Sequence, residues 1–441
     1  MTHPSPEHLI ITGATVLPMG GAEPLSDAGV AIRGERIVAV GPTTDIVTEH
    51  PGARRVAADG GVLTPGFVNT HCHLGLSWSR GLAVGDRHPV YDVFWPMEGA
   101  LTPDLVRDLA MVAAADSLLS GTTTVADHYF HADASVEATT TLGLRSAAGA
   151  TVLTLDGPLL GDPVGAPAEA ERFVDTWLGH RLVHPSVTPH AVDTVDSHSL
   201  RDLAALARDR GVALHLHLAQ SEHEVARIAE RNGCSPVAHA DELGLLGGGP
   251  TLAAHCMRTD GTDLAILADR PHTTAVYCPT VHGLDGVTLR AGDLLDLGGR
   301  VSIGTDAPPN DRYSVLAEAR TAVVAQGTLT ARGDALGPAT ALELATTAGA
   351  AGLGLDAELG RLAPGLLADL VLFDPLTATM APLDDPIASI LMGADTRAVR
   401  QVWVGGIGVV DEGRLVFGDE HVIAERATTA AGCLRERAGL A

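Results

Sequence analysis

The stretch Thr64-Pro65-Gly66-Phe67-Val68-Asn69-Thr70-His71-Cys72-His73 decides the fold. It reads as a buried strand that ends in two histidines one residue apart. Side chains alternate faces along a strand, so residues two apart point the same way. His71 and His73 therefore present two imidazoles side by side, with Cys72 turned away. Neutral imidazole is a common metal ligand, and a divalent cation suits that geometry. An HxH pair alone is equally compatible with two surface histidines after a strand. What the rest of the chain places beside it decides between the two.

Downstream, strands alternate with helices. Thr102-Pro103-Asp104 has the cap and the proline in the right order to start a helix, which runs to Leu119 and stops at Gly121. Thr122 to His128 is a β-branched strand, and Leu142 to Ala150 reads as another. Residues 182–190 look extended, and Val212 to Leu218, Thr251 to His255, Thr273 to Cys278 and Arg300 to Asp306 read as strands. Helical patterns fall between them at 168–180, 198–210, 221–243, 261–269 and 290–298, and continue at 314–326 and 338–352. Such alternation means parallel pairing. Counted from the HxH strand there are eight strands, the number of a (β/α)8 TIM barrel. A doubly wound open sheet is the alternative, but no GxGxxG follows a strand.

Both ends of the chain are β-rich. Short strands with Gly-rich turns fill residues 8–60, and Asp369 to Phe373, Ala398 to Val404 and Gly408 to Val410 repeat that character. The expected organisation is α/β: residues 1–62 and 359–441 form a small β-sandwich with a terminal helix at 421–439, and residues 63–358 form the barrel. The stretch 75–100, with Trp78, Trp95 and Glu98, is long for a connection, and long loops above a scaffold are often functional.

Composition narrows the function. The chain has 441 residues, 46% of them hydrophobic, with 29 basic against 54 acidic residues and a net charge of −25. So acidic a surface repels phosphate backbones, and nucleic acid is not an expected partner. No apolar run reaches the length of a membrane span. The opening Met1-Thr2-His3-Pro4-Ser5 has no signal-peptide pattern, so a cytoplasmic location is expected. The five cysteines (Cys72, Cys234, Cys256, Cys278, Cys433) form no CxxC pair and fit a reducing compartment. All 29 basic residues are arginine. A carboxylated lysine bridging two metals is therefore excluded, and one metal is the default.

Catalytic residues of TIM barrels stand at the C-terminal ends of the strands. There this chain has His71 and His73, then His128, His190, His217, His255 and Asp306. Core histidines would instead be scattered along the strands. His215 lies two residues before His217, one layer deeper, and reads as a supporting group. A bound divalent cation acidifies water, bringing its pKa toward about 7. The hydroxide then attacks an electron-poor carbon, and Asp306 or His255 takes the proton and passes it to the leaving group.

Several segments together resemble the amidohydrolase superfamily, in its branch of cytosine-deaminase-like aminohydrolases and triazine chlorohydrolases. They are Pro65 to His73, Ser120-Gly121-Thr122-Thr123-Thr124, Pro189-His190-Ala191, His217-Leu218-Ala219-Gln220, Ala254-His255-Cys256, Gly304-Thr305-Asp306, Gly360 to Gly365 and Ala368 to Val371. The resemblance implies one divalent ion, Zn2+ or Fe2+, held by His71, His73, His217 and Asp306. It implies that His255 steers or deprotonates the attacking water and that His190 touches the substrate. Family members usually carry glutamate where this chain has Gln220. An amide donates a hydrogen bond but cannot transfer a proton. His128, His190, Glu98 and Glu222 are the candidate replacements, and Trp95 with Glu98 is a candidate platform for a flat heterocycle.

The expected function is removal of an amino group from a nitrogen heterocycle such as a purine, pterin, pyrimidine or triazine, by a small-molecule hydrolase that assembles as a dimer or tetramer. Alternatives are hydrolysis of another leaving group such as halide, hydrolysis of a cyclic C–N bond, or an inactive binding protein.

Overall fold

The computed structural model describes residues 7–82, 90–307, 312–331 and 333–440. Eight parallel strands form the barrel: β1 (Phe67–Cys72), β2 (Thr122–Tyr129), β3 (Gly149–Val152), β4 (Thr188–Pro189), β5 (Leu214–Leu218), β6 (Thr251–His255), β7 (Thr273–Tyr277) and β8 (Arg300–Ile303). Each pairs in parallel with the next, β4 and β5 through the bridges Val187 to Leu214 and Ala191 to His217. A parallel bridge from Cys72 to Asp306 closes the ring. The closure brings the first and the last functional segments of the sequence side by side.

The expected strand from Leu142 is shorter than the pattern suggested. Leu142 ends the helix Ala132–Leu142, because Gly143 adopts the left-handed conformation (φ 82) that terminates it. Pairing resumes at Arg145–Ser146 and at β3. In residues 182–190 only Thr188–Pro189 forms a strand; Pro185 and Pro189 carry no N–H for a ladder. The helical pattern of 338–352 splits into Pro338–Leu344 and Thr347–Gly352 at Thr346, whose ψ of −88° leaves the helix.

Both ends of the chain meet in one nine-stranded sheet. Val62–Pro65 runs parallel to His8–Val16 on one side and antiparallel to Leu370–Phe373 on the other. The chain thus crosses into the barrel at Gly66, a few residues after the boundary expected at 62. A Cβ on Gly66 would lie 2.0 Å from the Thr123 hydroxyl, so glycine is required where β1 and β2 approach. One apolar cluster joins Leu9, Ile11, Val30 and Ile32 from the first strands to Leu370, Leu372 and Trp403 from the last. The protein is an α/β TIM barrel with a β-sandwich built from both termini.

Two carboxyl–arginine contacts fasten this layer to the barrel. Asp369 accepts two hydrogen bonds from Arg145, from Nε and Nη2, each 3.0 Å. Asp369 also accepts the Gly405 N–H at 2.7 Å, while the third arm of Arg145 donates to the Arg181 carbonyl at 3.0 Å. Both residues are buried. The tail helix Glu420–Arg437 packs on the helix Pro103–Leu119, apolar residues Ala430, Ala431 and Leu434 inward. No helix among the described residues is long and apolar enough to cross a membrane.

Candidate active site

The strand ends deliver their side chains to one point. The ligand atoms of His71, His73 and His217 lie within 4.8 Å of one another, as do those of His71, His255 and Asp306. Asp306 Oδ1 stands 3.4 Å from His71 Nε2 and 3.3 Å from His73 Nε2. His73 Nε2 and His217 Nε2 face each other at 3.2 Å.

The outer nitrogens of these rings are already committed. His73 Nδ1 donates to the His128 carbonyl, and His217 Nδ1 donates to the His190 carbonyl at 2.8 Å. In a neutral ring each Nε2 then carries a lone pair rather than a proton. Two such lone pairs pointing at each other, with a carboxylate oxygen beside them, repel unless a proton or a metal cation lies between. His71 Nε2 is buried with no hydrogen-bond partner among the described residues, and so is His255 Nε2. The donor set fits a divalent metal, and its N/O chemistry is of the kind zinc accepts. Outer-nitrogen hydrogen bonds of this sort fix the tautomer of ligating histidines.

Burial holds the imidazoles of His71, His128, His190 and His255 well below the usual histidine range, and His217 at about 4. These five are neutral at physiological pH. His73 differs: burial lowers its imidazole, but the hydrogen bond and charge of Asp306 outweigh that and raise it. Burial works against the charge of Asp306, but the imidazoles of His255, His71 and His73 hold its carboxyl well below the usual carboxylate range.

The backbone is shaped to make this convergence. Thr305 N and Asp306 N both donate to the His71 carbonyl, at 3.0 and 2.9 Å. The approach needs Gly304, whose Cβ would sit 2.9 Å from the Cβ of His71. Asn69 bridges the same two strands, donating to Thr305 Oγ1 at 2.8 Å and accepting the Thr305 N–H at 3.1 Å. Asp306 (φ 58) and His255 (φ 76) adopt left-handed backbone conformations. That is strain in non-glycine residues, of the kind that clusters at functional sites.

The remaining candidates divide. His215 lies under the centre, its Nε2 2.7 Å from His71 Nδ1. His128 packs 4.8 Å from the His217 ring, yet Thr151 Oγ1 occupies its Nδ1 and the Pro189 carbonyl its Nε2. A ring with both nitrogens bound is poorly placed to deliver a proton. The His190 ring lies 4.8 Å from that of His217, tilted at 51°, and binds Thr194 Oγ1 through Nδ1 at 2.9 Å. Glu222 points outward to Arg258 at 3.0 Å, away from the centre. Glu224 instead turns back: its carboxylate accepts the N–H groups of Ala219 and Gln220 at 2.9 and 2.8 Å. It fixes the turn that presents Gln220, which is half-buried.

Glu98 and Trp95 sit on the short helix Trp95–Glu98. Trp95 is half-buried and Glu98 is buried. Burial raises the Glu98 carboxyl to about 7, although His73 and the Tyr129 hydroxyl pull it down. Tyr129 in turn lies 6.0 Å from the His73 ring. Of the four candidate proton donors, His190 and Glu98 remain in usable positions.

Reading strand ends alone misses His282. It lies on the helix Pro279–Leu284 just after β7, fully buried, with its Nε2 3.3 Å from His255 Nδ1. The signal was a histidine four residues after Cys278-Pro279, beyond a strand end that bears no ligand. Asp127 and Tyr313 were also missed. Asp127 accepts the Leu74 N–H at 2.7 Å and the Tyr313 hydroxyl donates to the His73 carbonyl at 2.8 Å, so both steady the HxH turn.

Comparison with known proteins shows the family. The model of the amidohydrolase family matches residues 62–409, and an imidazolonepropionase-like composite domain of bacteria matches residues 28–53. The 5-methylthioadenosine/S-adenosylhomocysteine deaminase of Desulforudis audaxviator is 33% identical over 442 residues, covering 97% of this chain and 99% of its own. That of Symbiobacterium thermophilum is 32% identical, covering 94% of each chain. Among solved structures, an adenosine deaminase from Xanthomonas campestris with bound zinc superposes with a TM-score of 0.91 at 28% identity, over 98% of this chain and all of that one. A zinc-bound atrazine chlorohydrolase from Arthrobacter aurescens reaches 0.85 at 24% identity over 96% of this chain and 100% of that one, a likeness of fold. The chain belongs to the amidohydrolase family. It is a hydrolase of carbon–nitrogen bonds other than peptide bonds.

Proposed function

We propose that this chain is a mononuclear metal-dependent aminohydrolase that converts the amino-bearing carbon of a 6-aminopurine nucleoside to a carbonyl, releasing ammonia. The substrate class follows from the deaminases among its relatives. The single observation carrying the chemistry is the convergence of the His73 and His217 Nε2 atoms, 3.2 Å apart, beside Asp306.

In this reading His71, His73, His217 and Asp306 hold one divalent ion, zinc in first place and Fe2+ as the alternative. When bound, that ion lowers the pKa of a water from about 15.7 toward about 7. His255 and Asp306 flank the attacking water and move its proton. Overall, one water is consumed: its oxygen becomes the carbonyl, and its two hydrogens go to the ring nitrogen and the departing amine. Gln220 hydrogen-bonds the purine edge through its amide but carries no transferable proton. The proton to the ring nitrogen therefore comes by way of His255 or Asp306, or from His190 or Glu98. Trp95, Glu98, His128 and His190 border the substrate.

The test is ammonia release by zinc-loaded protein from adenosine, 5-methylthioadenosine, S-adenosylhomocysteine, guanine, a pterin and cytosine. Release from the 6-aminopurine nucleosides, abolished in Asp306→Asn, is expected. Silence across that panel with a full complement of metal overturns the reading. Gln220 favours a second one, in which the leaving group needs no ring protonation, as with halide on a triazine. Chloride release from a chlorotriazine, without ammonia release from any of the others, is its signature.

A further inference from the structure

A different group of metal-ligating side chains stands together in the helical connection between β5 and β6. Cys234, His239 and Glu242 each bring one donor atom, all within 4.8 Å of one another. The helix Glu222–Asn232 ends at Gly233, which is left-handed (φ 71), and the helix Pro236–Glu242 starts from the Ser235 cap. Cys234 sits in the joint between them. His239 and Glu242 are three residues apart on the second helix and so share a face.

His239 is 5% exposed, and its buried Nδ1 has no hydrogen-bond partner among the described residues. A buried polar group left unpaired is destabilising, and a metal ion would give this ring the partner it lacks. We propose that Cys234, His239 and Glu242 form a second divalent-metal site, of zinc-type preference, independent of the active site.

Thiolate, imidazole and carboxylate are the three protein ligands zinc takes, and a water completes four-coordination. Metal–ligand bonds of about 2.0–2.3 Å in a tetrahedron put donor atoms roughly 3.3–3.8 Å apart. Small rotations of the three side chains reach that spacing. The surrounding charge is mixed but favours a cation. Burial, Glu242 and Asp263 all push the Cys234 thiol up, and the two carboxylates are the field a cation seeks. Burial keeps the His239 imidazole below its ordinary value, with the Arg201 guanidinium adding to this and Glu242 opposing it. Binding breaks the S–H bond, forms the S–metal bond and releases the proton to solvent, so affinity rises with pH. An occupied site ties the joint after the helix Glu222–Asn232 to the helix Pro236–Glu242.

Cobalt(II) titration tests this without reference to catalysis. The proposed active-site ligands are imidazoles and a carboxylate, so metal bound there gives no thiolate-to-cobalt charge-transfer band in the near ultraviolet, whereas the new site does. The wild-type protein should bind a second equivalent and show the band. His71→Ala/His73→Ala should keep the band while losing the other equivalent. Cys234→Ser should lose the band and keep the active-site equivalent, and Glu242→Gln should weaken binding roughly tenfold. Absence of the band at excess cobalt overturns the proposal. So does its persistence in Cys234→Ser, which would move the thiolate to Cys278, beside His255 and His282.

Discussion

Two buried polar clusters in this molecule behave in opposite ways. Around Asp369, a guanidinium, a carboxylate, a backbone N–H and a carbonyl satisfy one another without outside help. Around Asp306, three Nε2 atoms and a carboxylate oxygen converge within a few ångströms of one another. The first cluster is complete as folded, and the second is complementary to something the polypeptide lacks. Burial and polarity are shared by both. What separates a structural constellation from a functional one is whether its members can pair among themselves.

Substitutions at each cluster should separate the two roles. The largest effect is expected from Asp306→Asn or His73→Ala, which remove two of the proposed ligands of the cation. Loss of ~4 kcal/mol or more of transition-state stabilisation corresponds to about 10³-fold or more in kcat. Elemental analysis should show the loss of the active-site metal while circular dichroism stays native. Retained metal and activity in both would show that the lone-pair argument is wrong.

Arg145→Ala should do the converse. Stranding Asp369 without its partner is expected to lower stability by about 3–5 kcal/mol, read as a lower denaturant midpoint. The fraction that stays folded should keep its active-site metal and its kcat. A drop in kcat larger than the loss of folded protein would tie the two clusters together instead.

The Glu98 carboxyl, raised to about 7 by burial, predicts a pH effect on metal-stripped protein. The folded state holds this proton more tightly than the unfolded chain, whose carboxyl titrates near its ordinary value. Stability should therefore be fully present below about pH 4.5 and fall as pH rises toward 7, by about 3 kcal/mol at most. Glu98→Gln should flatten that slope in urea melts taken at several pH values. An unchanged slope would remove Glu98 as its source.

The smallest effect belongs to His282, which touches His255 and nothing that reacts. His282→Phe keeps the ring volume and removes the hydrogen bond. A roughly tenfold fall in kcat with little change in KM is expected, about 1.4 kcal/mol, with part of it restored by His282→Gln. Equal losses in both variants would mean that the ring merely fills space.

The same contrast explains what the sequence disclosed. His71, His73, His217 and Asp306 were legible because a period of two and a strand end fix where a side chain points. The eight-strand count held although residues 142–150 and 182–190 were drawn too long, since a glycine cap and two prolines interrupt pairing without changing the order of elements. His282 was not legible: it stands on a helix after the strand end, where no short period aims it. Nor were Glu222 and Glu224 distinguishable in the sequence. Two charges in one helical turn look alike until the fold sends one to Arg258 and the other to the Ala219 and Gln220 amides.

Val62–Pro65 has Leu370–Phe373 as a neighbour, some three hundred residues later in the chain. During synthesis the whole barrel segment leaves the ribosome before that partner strand exists. Nascent chains thus carry the edge of Val62–Pro65 uncovered for most of translation, and an unpaired edge invites pairing with other chains. Truncation before residue 370 should accordingly yield aggregates rather than a smaller working barrel.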